Sequence, residues 1–409
     1  MVTKASVVVA VALSAVAAAG SSKKTCVVKH TKNSDDTPAI LDAFSKCQKD
    51  GNVVFSKGVT YNAWTPFAVY NLSNVIVNID GNIDLPKQVS VVQQKINSTA
   101  NPHPLMQPLG SISKVSDRVQ LIGSKSKSGG QFNGYGQQWW DNGIRILRPQ
   151  LATFNVTNGY ITRLKVIKPV AWGWNIPGKN ILIEDHFNIT LNGYWGENGD
   201  DCVSVVNGAR NIVAKNGYCG FSSHGLSVGS LGRNGANHTV ANVLFDKWTM
   251  EGAVYAARFK SWTGGNGFAE NVTWSNIRAI NVSTAAFVTQ NYYDQDKGPR
   301  PGNQNKTSTR ITNLTFKNFE GYLGPNWTDG TCISEPCWNY VEGGDTTQSI
   351  ILDLYNGTAT GLKFRNFKVH PYKKGYDKTT VICDPATLHP EDIKVLGFKC
   401  VRGPYQPTA

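Results

Sequence analysis

From about residue 145 to 370 the chain repeats one short phrase: a turn residue, usually asparagine, then alternating apolar and polar positions. Examples are Asn180-Ile181-Leu182-Ile183-Glu184, Asn211-Ile212-Val213-Ala214-Lys215, Asn242-Val243-Leu244-Phe245-Asp246, Asn271-Val272-Thr273-Trp274-Ser275 and Asn313-Leu314-Thr315-Phe316-Lys317. Gly361-Leu362-Lys363-Phe364-Arg365 is a weaker copy. A period of two bounded by turn residues predicts short strands. Asn188 to Asn211 spans 23 residues and Asn242 to Asn271 spans 29, and recurrence in the twenties predicts a solenoid. The expected architecture is all-β, a parallel β-helix in which each coil buries its inner face against its neighbours. An immunoglobulin-like array would give antiparallel hairpins and a less regular asparagine phrase.

Asp36-Thr37-Pro38-Ala39-Ile40-Leu41-Asp42-Ala43-Phe44 breaks the pattern. Its apolar spacing, with Asp36 or Thr37 as the cap and Pro38 in the first turn, predicts one helix that closes the end of the solenoid. No amphipathic helix is expected after residue 50, residues 86–130 read as Ser/Lys/Gln-rich loops, and the tail from Gly403 to Pro407 reads as irregular. One spacing conflicts with the repeat. Asn180 and Asn188 begin phrases only 8 residues apart, whereas a coil needs about twenty. Either one phrase is not a coil start or a coil is missing.

Residues 1–19 read as a secretory signal: Lys4, an apolar run from Ala5, and Ala17-Ala18-Ala19 before Gly20. The run is shorter than the roughly 20 residues needed to span a bilayer, so no membrane segment is expected, and residues 20–409 form one domain. Eleven Asn-x-Ser/Thr sequons between Asn71 and Asn356 agree with export. Eight cysteines fall into sequence-local couples, Cys26/Cys47, Cys202/Cys219, Cys332/Cys337 and Cys383/Cys400, read as disulfides in an oxidising compartment. A zinc site is disfavoured, because no Cys-x-x-Cys occurs and no histidine has ligand spacing. The expectation is a secreted monomer with no metal and no cofactor. A net charge of +13 suits an anionic partner. The lysines are scattered, with no basic helix or arm, so an acidic polysaccharide fits better than nucleic acid.

The candidate chemistry lies in Asn198-Gly199-Asp200-Asp201-Cys202, Ser223-His224-Gly225 and Arg258-Phe259-Lys260. Neighbouring carboxylates raise each other's proton affinity, so one can act as acid and the other as base. A turn pair or a calcium-ligand pair is the simpler reading of Asp-Asp alone. His224 can tune the acid or bond a sugar, although a lone histidine is more often structural. Arg258 and Lys260, two apart, share a strand face and repel unless an anion sits between them. A uronate carboxylate is such an anion, though a solvated strand face would look the same. Tyr292 can line the same groove or simply pack. The groups fall on successive coils, which stacking would bring together.

These motifs together, with Gly134-Tyr135-Gly136 and Trp139-Trp140, resemble glycoside hydrolase family 28, the polygalacturonases. The resemblance covers most of the mature chain. It implies a right-handed parallel β-helix that hydrolyses α-1,4-galacturonosyl bonds with inversion, Asp200 as acid, Asp201 as base on the water and His224 in support. It also implies that Arg258 and Lys260 bind the substrate carboxylate and that Tyr292 lines the subsite. Inversion needs roughly 6.5–9.5 Å between the carboxyl groups. Val228-Gly229-Ser230-Leu231-Gly232 and Trp262 look more like the exo-acting branch than the endo-acting or rhamnogalacturonan-cleaving ones. Two features depart from the family. Arg-Ile-Lys is Arg-Phe-Lys, and the Asn-Thr-Asp expected one coil before Gly-Asp-Asp is absent. Its expected place coincides with the 8-residue interval near 180–190, which points to a lost coil and makes a catalytically dead pectin-binding β-helix the alternative.

Overall fold

The asparagine that opens each phrase is a corner. Asn158, Asn180, Asn211, Asn242, Asn271 and Asn313 all have φ between 53° and 58°, a left-handed conformation that asparagine tolerates better than most residues. In a computed structural model describing residues 23–98, 106–144, 146–171, 174–184, 187–189, 200–220, 222–293, 307–324, 341, 347–371, 381–401 and 404–405, these corners stack. Each side-chain amide donates to the carbonyl of the asparagine one coil earlier, at 2.8–3.2 Å, from Asn180→Asn158 through Asn313→Asn271. A second column runs through Asn276, Asn318 and Asn366.

Between corners the chain forms three parallel sheets that wind into a β-helix. One, here the groove sheet, runs through Trp174–Ile176, Val203–Val205, Leu226–Leu231, Tyr255–Trp262, Thr284–Tyr292 and Ile350–Asp353. The ladder sheet includes Lys179–Glu184 and Arg210–Lys215. The third includes Lys165–Ile167 and Phe187–Ile189. The residues between the sheets pack as one continuous core, with Phe245, Trp274, Phe316 and Phe364 stacked along the axis at centroid spacings of 5.6, 4.8 and 4.6 Å.

The helix Thr37–Lys46 covers the N-terminal end, burying Ile40, Ala43 and Phe44, and Cys26–Cys47 fastens it. Its cap differs from expectation. Asp36 makes no capping bond, because its carboxylate is taken by Thr31, Asn62 and His30; Asp35 accepts from the Thr37 N–H instead. Other segments also depart from the sequence reading. Residues 86–130 are not loops throughout: they hold the helix Val89–Asn97 and the long strand Met106–Gly123. A helix Pro390–Val395 and the bond Cys383–Cys400 close the C-terminal end. Pro404–Tyr405, expected to be irregular, pairs antiparallel with Val381–Ile382.

Cys26–Cys47, Cys202–Cys219 and Cys383–Cys400 are bonded as expected. The described residues do not include the fourth expected couple. Both Cys332 and Cys337 lie outside those residues, as does the candidate signal segment 1–19.

The 8-residue interval has a structural answer. Asn180 and Asn188 lie on two different sheets of the same coil. The ladder partner of Asn180 is Asn211, 31 residues on, the same separation as Asn211 to Asn242. Asn188 is therefore not a coil start, and the interval itself marks no loss. Asp185 lies outside the described residues.

Asn242→Ala tests the ladder. It places a Cβ-bearing residue without a local hydrogen bond at φ 57° and removes two amide bonds. Urea unfolding should show a loss of about 1–3 kcal/mol, with Asn242→Gly restoring the backbone part only.

Candidate active site

Along each strand of the groove sheet, alternate residues point inward to the core and outward. Val203, Leu226, Ala257 and Ala286 belong to the core, and so do Val228, Phe259 and Val288. The residues between them face out. Register places Ser227 beside Arg258, and Gly229 beside Lys260. The strand period thus puts both cations on one face, as their spacing of two requires.

Asp200 and Asp201 occupy the turn just before Val203–Val205. That turn is pinned on three sides. Cys202 is bonded to Cys219, the Cys202 N–H donates to Gly225 O at 2.9 Å, and the His224 N–H donates to Asp200 O at 3.0 Å. Gly225 has φ 69°, and a Cβ there would meet Tyr255 O at 2.1 Å. The turn carrying His224 can approach the next coil only because this residue has no side chain.

The charged groups then meet. Asp201 Oδ1 accepts from Arg258 Nη2 at 2.5 Å and from Ser227 Oγ at 2.5 Å, and Asp201 Oδ2 accepts from Lys260 Nζ at 2.9 Å. Arg258 Nε donates to Ser227 Oγ at 3.1 Å. His224 Nδ1 lies 2.9 Å from Asp200 Oδ1. All five charged residues are buried, Asp201 completely. Burial pushes the Asp200 carboxyl up. The charge and hydrogen bond of His224, then the charges of Lys260 and Arg258, outweigh it and hold the group well below the usual carboxylate range. Burial and the neighbouring Arg258 lower the Lys260 amine, against the pull of Asp201 and Asp200.

Two sequence expectations change here. The neighbouring carboxylate does not hold Asp200 protonated, because three cationic groups dominate its field. The anion between Arg258 and Lys260 is Asp201 itself. Asp200, Asp201 and His224 also bring ligand atoms within 4.8 Å of one another, a spacing a metal ion could use. Both Asp201 oxygens, however, already face fixed cations, which oppose a further positive charge.

Tyr292 stands at the edge of the cluster, its ring centroid 5.9 Å from Lys260 Nζ and 4.9 Å from Trp262. Two members were missed in the sequence. Ser227 bridges Asp201 and Arg258, and its place two residues after Gly225 on an outward position was the available signal. Tyr255 lies under the Arg258 guanidinium at 4.8 Å and edge-on to His224 at 5.9 Å. Asn198 and Gly199 lie outside the described residues.

The arrangement can hold a carboxylate, exchange a proton and exclude water. Comparison with known proteins agrees. The model of glycosyl hydrolases family 28 matches residues 143–333. The "probable exopolygalacturonase C" of Aspergillus terreus is 35% identical, covering 95% of this chain and 94% of its own length. Its namesake in Neosartorya fischeri is 33% identical, covering 91% and 89%. Among solved structures, the endo-xylogalacturonan hydrolase from Aspergillus tubingensis superposes with a TM-score of 0.65 at 20% identity, covering 93% of this chain and 99% of that one. Because the likeness in sequence to these relatives runs along nearly the whole chain, the chain belongs to glycosyl hydrolases family 28.

Proposed function

We propose that this chain is a secreted, inverting, exo-acting hydrolase of α-1,4-galacturonosyl bonds in polygalacturonate. The observation that carries the reading is the pair Arg258/Lys260 converging on one carboxylate position, occupied by Asp201. A substrate uronate can enter only by competing for those cations. As it does, it neutralises the charges that depress Asp200 and loosens the hold on Asp201. Asp200 then takes up the proton shared with His224 and delivers it to the glycosidic oxygen, while Asp201, released from its partners, accepts a proton from the attacking water. Tyr292 and the cations orient the sugar. Names of relatives support the exo mode, and the net charge of +13 supports an acidic polymer.

A second reading, a pectin-binding β-helix with little turnover, is favoured by two facts. The oxygens of Asp200 and Asp201 lie within 4.8 Å, closer than inversion requires with water between the groups. The preceding coil stacks Trp174 against Val203, yet its stretch from Lys165 to Asn180 contains no Asp or Glu to supply a further base.

Incubation with polygalacturonate decides between them. The first reading expects galacturonic acid monomer as the early product; binding without reducing-sugar release supports the second, and oligomers appearing first would remove the exo mode. Asp200→Asn should abolish release while leaving polymer binding in place, and near-wild-type turnover would put the acid elsewhere. Arg258→Ala should weaken polymer binding by about tenfold or more, since a charge-assisted bond is worth about 1.5–3 kcal/mol. His224→Gln removes the largest group that lowers Asp200. The pKa of Asp200 should rise, so the alkaline limb of kcat/KM, set by loss of the acid's proton, should move to higher pH. A shift to lower pH would count against the pairing.

A further inference from the structure

The outward row of the groove sheet changes sign beyond the cations. Thr289 and then Asp353 stand in register with Lys260 on the next two coils. Asp353 accepts from Thr289 Oγ1 at 2.7 Å and from Asn291 Nδ2 at 2.9 Å. An anionic polymer leaving Arg258 and Lys260 in that direction runs into a fixed carboxylate. A different path leads across the strand ends. Trp262 follows Lys260 by two residues and stands in register with Tyr292, meeting it edge-on. The turn after Leu226–Leu231 places the Arg233 guanidinium 5.0 Å from the Trp262 ring centroid. Lys260 and Arg233 therefore flank one aromatic pair, Lys260 on Tyr292 and Arg233 on Trp262.

Trp262 carries a second signal. Its Nε1–H is buried and has no hydrogen-bond partner among the described residues. A buried donor without an acceptor is costly, and a ligand oxygen would supply the missing partner. Arg233 is only half-buried, on a turn that includes the exposed Asn234 and Gly235, where an incoming anion can reach its guanidinium. Polygalacturonate has one carboxylate per sugar, so a second anion follows whichever one reaches Arg258 and Lys260.

We propose that Arg233 and the Trp262 indole N–H form a receiving site for a second carboxylate of the same galacturonan chain, one that a single sugar cannot fill. This rests on the reading that a uronate occupies the Arg258/Lys260 position. Asp353 sets the direction by repelling the chain from the opposite side, and Tyr292 spans the two anion positions.

Calorimetric titration of wild type, Arg233→Gln, Arg233→Lys and Trp262→Phe with galacturonate, digalacturonate and trigalacturonate tests it. Wild type should bind the oligomers about tenfold or more tighter than the monosaccharide. Arg233→Gln should remove most of that ratio. Arg233→Lys, which keeps the charge without the planar fork, should keep part of it. Trp262→Phe, which keeps a ring without the N–H, should lower the ratio as well. If Arg233→Gln is too unstable to titrate, the other two variants give the same test. A wild-type ratio preserved in the variants overturns the inference and leaves the first anion position intact. Failure of wild type to bind any uronate overturns both.

Discussion

Parallel register is the constraint on which everything else depends. Asp201, Ser227 and Arg258 come from three successive coils, and only in-register stacking brings them within hydrogen-bonding distance. The dependence is mutual. Arg258 and Lys260 are 1% and 3% exposed, and two cations buried at one place would push the coils apart without the carboxylate between them. Because the period of a strand is two, a slip of one residue would turn both cations into the core and Phe259 out of it.

Electrostatics gives the site a resting state. The buried cluster compensates its own charges, which explains how five ionisable groups persist with so little exposure. The same compensation makes the cluster responsive, because an arriving anion must replace an internal one. The bonded Cys202–Cys219 pair and the close contact at Gly225 keep the turns fixed while partners exchange.

Much of this was legible in the sequence because period and charge are local signals. The strand phrase marked the sheets, and the spacing of Arg258 and Lys260 marked their common face. Closeness along the chain likewise picked out Cys26–Cys47, Cys202–Cys219 and Cys383–Cys400. What failed was non-local or uncharged. Asn180 and Asn188 look alike, yet Asn180 turns a corner while Asn188 lies within a strand of another sheet of the same coil, and only pairing tells them apart. Ser227 and Tyr255 carry no charge to draw attention. The stretch 86–130 reads as loops because its outward Ser, Lys and Gln residues mask the apolar alternation of Val119 and Leu121. The role of Asp201 as the anion between the cations needed the coil register, which no single motif contains.

The asparagine ladder bears on how the surface is modified. Asn271-Val272-Thr273 and Asn313-Leu314-Thr315 are both sequons, and both asparagines are rungs. The nitrogen that would carry a glycan is the one each rung donates along the column, and the Thr two residues on is the next residue of the strand phrase on the same side. A sugar at either position would leave that amide a single N–H for the column. At these two corners the glycosylation consensus and the turn that the ladder requires are written in the same residues, so one side chain serves both.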